Sequence, residues 1–173
     1  MKSIGKGEVL LRNYFESDLP LMVEYANNKK VSINLRDAFP SPYTIENAQA
    51  LLQMANHQNP RTFFAIEYKG AYVGNICLSL GEDVYRRSAE IGYLIGEPHW
   101  NRGIATQAVN LITQYGFQEL DLLRIYTGIF EYNRGSQRVL EKCGFKQEAI
   151  FEQAICKNNM IYSEIRYCKL RYV

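Results

Sequence analysis

Between Trp100 and Thr106 the chain reads WNRGIAT, a turn of small residues at the foot of an amphipathic run. Gly103 and Ala105 carry almost no side chain, so a ligand can come close to the main chain there. The first amides of the helix that follows point outward without partners. Such donors, at the positive end of a helix dipole, suit phosphate oxygens. Arg102 adds a charge-assisted contact. The same residues also fit an ordinary strand-to-helix turn in which Gly103 supplies only backbone freedom. Two familiar phosphate loops are excluded, because no Lys-Ser/Thr pair follows the glycine and the glycines lack the G-x-G-x-x-G spacing. Metal chemistry has no support: Cys77, Cys143, Cys156 and Cys168 lie far apart with no CxxC pair, and His57 and His99 are the only histidines. That usage fits reduced thiols and a cytoplasmic setting.

The elements that must hold this turn are legible on both sides of it. Glu8 to Arg12 is a strand candidate, after which Ser17-Asp18 and Pro20 open a helix that closes at Asn27 to Lys30. The prolines of Val31 to Tyr43 forbid regular structure and predict an ordered loop. Thr44 caps a second helix running to about Met54. Two β-rich runs joined at Lys69-Gly70 read as a hairpin, and Gly81 to Asp83 turns the chain into a strand over Ala89 to Ile95. Ile104, Ala108, Leu111, Ile112 and Tyr115 mark the buried stripe of a helix that ends near Leu120. Leu123 to Phe130 is a strand, QRVLEKC a short helix stopped by Gly144. Phe145 to Ile155 and Ile161 to Leu170 are final strands around the turn Lys157-Asn158-Asn159.

The order gives an α/β (α+β) sheet of about seven strands flanked by about four helices, formed by a single domain over 1–173. The Lys69-Gly70 hairpin rules against a doubly wound dinucleotide fold. A net charge of +2 in 173 residues gives no general grip on polyanions, so no direct nucleic-acid partner is expected and any anion site is local. No apolar run is long enough to suggest a leader or a membrane span.

The stretch AEIGYLIGEPHWNRGIATQAV resembles the acetyl-CoA signature of the GNAT superfamily of N-acetyltransferases, in its RimJ/RimL-like branch. Gly103 and Ala105 match the superfamily pattern, and Trp100 replaces its first polar residue, as is typical of that branch. A second block, EYNRGSQRVLEKCGF, is similar to the branch's Asn-x-x-Ser motif and Lys-Cys-Gly-Phe ending. The likeness spans essentially the whole chain, including EVLLR and SPYT. It implies a mostly antiparallel sheet whose fourth and fifth strands splay apart and hold pantetheine, whose amides complete the exposed strand edge.

By this resemblance the main chain of Tyr93, Leu94 and Ile95 pairs with the pantetheine arm. Asn101, Arg102, Gly103, Ile104, Ala105 and Thr106 cradle the pyrophosphate, and Asn133 and Ser136 contact acetyl-CoA from the next strand's end. Glu90 lies where related histone acetyltransferases place a general base, and strand alternation puts it on one face with Gly92 and Leu94. The alternatives are a base acting through bound water, or a structural Glu90 paired with Arg86 or Arg87. Ser136 is expected to protonate the departing thiolate, since Leu140 stands where many members carry a tyrosine; capping of the next helix by Asn133 or Ser136 is the other reading. The Leu94 amide is the expected oxyanion donor.

Phe39 and Tyr43 fall where the acceptor groove usually lies, although aromatics in a proline-rich loop more often serve packing. The implied reaction is acetyl transfer to a primary amine in a ternary complex, with a protein N-terminal α-amine preferred over a small-molecule amine. Deprotonating a lysine-type amine at pH 7 costs roughly 4.6 kcal/mol, an α-amine only about 1.2 kcal/mol. A non-catalytic acyl-CoA-binding module is the competing class. The resemblance also allows a homodimer, on which the residues themselves are silent.

Overall fold

The computed structural model describes residues 3–5 and 7–172. Its centre is a seven-stranded sheet in the order β1-β2-β3-β4-β5-β7-β6. The strands are β1 (Val9–Arg12), β2 (Phe63–Tyr68), β3 (Ala71–Leu80), β4 (Ser88–Ile95), β5 (Arg124–Phe130), β6 (Lys146–Lys157) and β7 (Met160–Leu170). All neighbours are antiparallel except β4 and β5. The hairpin turns where expected: Lys69 and Gly70 have φ of 52° and 82°, the left-handed pair that a two-residue turn between twisted strands requires.

Among the described residues five helices flank the sheet: α1 (Leu19–Asn27), α2 (Lys29–Ser32), α3 (Ile45–His57), α4 (Ile104–Gln118) and α5 (Arg134–Lys142). The extra one is α2. Asn28 adopts an extended conformation that ends α1, and its side chain accepts from the Lys30 N–H and starts a new turn. The proline-rich segment therefore loses its first two residues to helix. Thr44 caps α3 as expected, with a reciprocal Asn47 contact. Asp18 acts differently from the expected helix cap. Its buried carboxylate receives the Arg12 guanidinium at 2.7 and 3.0 Å and the Phe15 N–H at 2.8 Å, tying β1 to the start of α1.

Each face of the sheet buries one helical layer. On one side Leu11, Phe64, Ile76, Leu78 and Ile91 meet Ile104, Ala108 and Ile112 of α4 and Leu140 of α5. On the other, Ala65, Tyr72 and Leu94 meet Met22 and Tyr25 of α1 and Ala48, Leu52 and Ala55 of α3. Burying each large aliphatic side chain contributes about 1.5–3 kcal/mol, which holds the helices of each layer against the sheet. No helix among the described residues is long and apolar enough to cross a membrane.

Candidate active site

β4 and β5 pair over only three residues, Ser88 to Glu90 against Arg124 to Tyr126, and then part. Each is held from outside beyond that point, β4 by β3 as far as Ile95 and β5 by β7 as far as Phe130. The wedge between them belongs to a cavity of about 940 Å³. Its lining includes Glu90 to Ile95, the turn from His99 to Thr106, the end of β5 from Thr127 to Phe130, and Asn133 to Ser136 at the start of α5.

Which main-chain groups face the wedge follows from strand alternation. The Arg87 carbonyl accepts from Leu123 on the β5 side, whereas the Ser88 carbonyl accepts from Gly81, just past β3. At the other end of β4, the Gly96 N–H donates to Val73 on β3. Odd-numbered residues of β4 therefore direct their peptide groups at β5, and even-numbered ones at β3. Tyr93 presents both N–H and C=O to the opening. Ile95 presents its N–H only, because its carbonyl accepts from the Trp100 indole Nε1 at 2.8 Å. Leu94, expected to offer its amide as an oxyanion donor, turns that amide to β3. The expectation failed because it named the strand without fixing which residues alternate outward.

The turn ahead of α4 has Asn101 and Gly103 in the left-handed region, with φ of 60° and 74°. Gly103 is the N-cap of α4 and offers no side-chain cap, so the first-turn amides of Ile104, Ala105 and Thr106 are left to a ligand or solvent. A Cβ on Gly103 would meet nothing within 4 Å, so the glycine is there for its backbone angle and for the open space beside the amides. Behind this turn the Cys143 thiol donates to the Thr106 carbonyl at 3.4 Å, and burial pushes its pKa up to about 11. His99, given no role from spacing, packs its ring edgewise on Tyr25 with Nε2 3.0 Å from the phenol. Burial, and then the Arg102 charge, hold its pKa below the usual value.

Six basic residues line the cavity: Lys30, Arg36, Arg102, Arg134, Arg138 and Lys142. Three were missed as site residues although a signal existed. Arg134, Arg138 and Lys142 recur every four residues along α5, which places them on one helical face. The donor set fits a long phosphate-bearing ligand: charged side chains and free amides at one end, unpaired strand edge in the middle.

Glu90 lies at the last paired position before the strands part. Its carboxylate is paired, as one reading held, but the partner is Arg36 rather than Arg86 or Arg87. Arg86 bonds the Asp83 carbonyl and Arg87 pairs with Asp121. Arg36 comes from the loop between α2 and α3, and nothing in its neighbourhood in the sequence points to Glu90, 54 residues away.

Asn133 caps α5, its Oδ1 accepting from the Ser136 N–H at 3.2 Å. Its amide also donates to Ser136 Oγ at 3.2 Å, which leaves the hydroxyl hydrogen of Ser136 for another acceptor. Capping and a functional hydroxyl are thus compatible. The Tyr93 phenol reaches across the wedge to the Ser136 carbonyl at 3.4 Å, and burial raises its pKa to about 12. Leu140 is fully buried and carries no proton to donate. Phe39 and Tyr43 lie outside the cavity's lining. Their rings stack on each other at 4.9 Å and Tyr43 is buried against α1 and α3, the arrangement that the packing reading expects. No group of three or more potential metal ligands occurs among the described residues.

Comparison with known proteins agrees with this geometry. Residues 8–146 match the family model described as acetyltransferase (GNAT) domain. The probable N-acetyltransferase YjcK of Bacillus subtilis is 43% identical over 74 residues, covering 43% of this chain and only 41% of that protein. The spermidine N(1)-acetyltransferase of Escherichia coli is 27% identical over 166 residues, covering 92% of this chain and 84% of that one. The structure of RimL, a ribosomal L7/L12 α-N-protein acetyltransferase in complex with coenzyme A, superposes with a TM-score of 0.84 at 20% identity. It covers 98% of both chains and shows the shared fold.

Proposed function

The chain belongs to the GNAT acetyltransferase family, and from that premise we propose that it transfers the acetyl group of acetyl-CoA to a primary amine, preferentially a protein N-terminal α-amine. The observation that carries the reading is the convergence on one cavity of the unpaired β4 edge, the free amides of α4, Glu90 and Ser136. In this proposal the Ile104 to Thr106 amides with Arg102 hold the pyrophosphate, and α5's basic face holds the remaining phosphate charge. The Tyr93 C=O and the Ile95 N–H complete their hydrogen bonds on the pantetheine arm, with Asn133 near it.

The same groups organise the chemistry. Glu90 takes the proton of the amine, directly or through water, so that its lone pair attacks the thioester carbonyl. A preorganised Tyr93 N–H faces the oxygen where negative charge grows, and Ser136 gives a proton to the departing thiolate. Attack is direct in this proposal, with no acyl-enzyme intermediate. Cys77, which lines the wall, is held protonated by burial at a pKa of about 11.

Thiol release from acetyl-CoA across a panel of N-terminal peptides, polyamines, amino acids and aminoglycosides tests the proposal. Turnover of an amine is expected; tight CoA binding with no turnover of any amine would make the protein a binding module instead. The reading also takes the protein as cytoplasmic and homodimeric. The exposed Ile150, Phe151, Met160 and Ile161 around the β6 edge support the dimer, and a monomer mass in sedimentation equilibrium would overturn it.

A further inference from the structure

The acceptor side of the cavity has an unusual balance of charge. Glu90 is the only carboxylate among the described residues that line the whole cavity; of the six cations there, Arg102, Arg134, Arg138 and Lys142 are assigned to the cofactor's phosphates, which leaves Lys30 and Arg36. The carboxylate is already engaged by Arg36, whose side chain is 57% exposed while that of Glu90 is 25% exposed. Three acidic groups next to lining residues or loops, though not in the lining themselves, are paired too: Asp37 with Lys157, Glu97 with Lys30 and Asn28, and Glu164 with Arg166. Arg36 is held there by its own loop. The Tyr132 phenol donates to the Ile33 carbonyl at 2.7 Å, and the Asp37–Lys157 pair ties the loop to the end of β6.

We propose that Arg36 selects the acceptor by charge, favouring an amine with an anionic group a few atoms away, such as a peptide N-terminus followed by an acidic side chain. This rests on the acetyl-transfer reading. An acceptor amine arrives as an ammonium and needs Glu90. The ammonium displaces Arg36 easily, because an exposed ion pair contributes little net stability. The freed guanidinium then stays in the mouth, tethered and without a carboxylate partner. A carboxylate on the acceptor re-pairs it, bidentate and planar, and completes an exchange of partners. A polyamine brings further positive charge to a mouth whose carboxylates are all taken, so it meets repulsion where an acidic peptide meets a partner.

Steady-state thiol release distinguishes these acceptors. The probes are the amidated peptides Ser-Glu-Glu-Ala and Ser-Lys-Lys-Ala and free spermidine, with wild type and Arg36→Gln. For wild type, kcat/KM for the acidic peptide is expected to exceed that of the other two by at least about fivefold. In Arg36→Gln that ratio is expected to fall to near one, with Arg36→Lys restoring part of it. A purely structural role in holding the loop would lower all three acceptors together and leave the ratio unchanged. That outcome overturns the inference, as does preference for spermidine or the basic peptide, or no peptide turnover by wild type that binds CoA in calorimetry. Absence of CoA binding is the separate failure that would sink the acetyl-transfer reading and this inference with it.

Discussion

Gly103→Val is expected to weaken CoA binding by roughly 30- to 1,000-fold, equivalent to about 2–4 kcal/mol. Two effects combine. A φ of 74° is strained for any L-residue and most for a β-branched one, so the turn reorients and the Ile104 to Thr106 amides lose their common aim. Hydrogen bonds from such amides to a charged phosphate contribute about 1.5–3 kcal/mol each, so losing one or two accounts for the range. The branched side chain would also stand in the open space beside those amides, where no protein atom lies within 4 Å of the added Cβ. Isothermal titration with CoA measures the effect, with circular dichroism to show that the variant is folded. A folded variant with affinity within twofold of wild type would remove the turn from the binding site.

Glu90→Gln has the second large effect, a fall in kcat of about 10²- to 10⁴-fold if the carboxylate is the general base. Glutamine keeps the shape and can still accept a hydrogen bond, but it cannot take a proton. Acetyl-CoA affinity should change little, since the binding groups proposed for the cofactor lie on β4's odd residues, the turn before α4, α4 and α5. The pH–rate profile separates a base from a brace. Loss of the limb that reports the base is expected, whereas an unaltered profile at reduced rate would mean that Glu90 only anchors Arg36 and its loop. Comparison with Arg36→Gln guards against confusing the two, because removing either partner leaves the other charge unpaired.

Local patterns carried most of the fold into view. The Lys69-Gly70 turn, the Gly144 stop with φ of 78°, the Thr44 cap and the helical stripe from Ile104 to Tyr115 depend on neighbours within a few residues. Such features are readable because backbone angles and side-chain period are set by the residues themselves. The extra α2 escaped notice for a related reason: one Asn28 side chain decides between continuing a helix and restarting it, and composition alone does not choose. Asp18 does stand at the N-cap position of α1, but its carboxylate turns to Arg12 on a different element, a contact that local spacing does not reveal.

At the site, the sequence determined the chemical types present: a glycine where the backbone must turn left-handed, small residues at a helix start, a glutamate in a strand and a serine after an asparagine. Only the tertiary structure decided how they face one another. It parted β4 from β5 after three paired residues, directed the Tyr93 peptide group rather than Leu94's into the wedge, and withdrew Phe39 and Tyr43 into packing. It also brought Arg36 to Glu90. The physical reason is the range of the forces involved: torsional preference and hydrophobic period act along the chain, whereas hydrogen-bond direction and ion pairing depend on positions in space. Those positions are fixed when the two helical layers bury their apolar faces on opposite sides of the sheet.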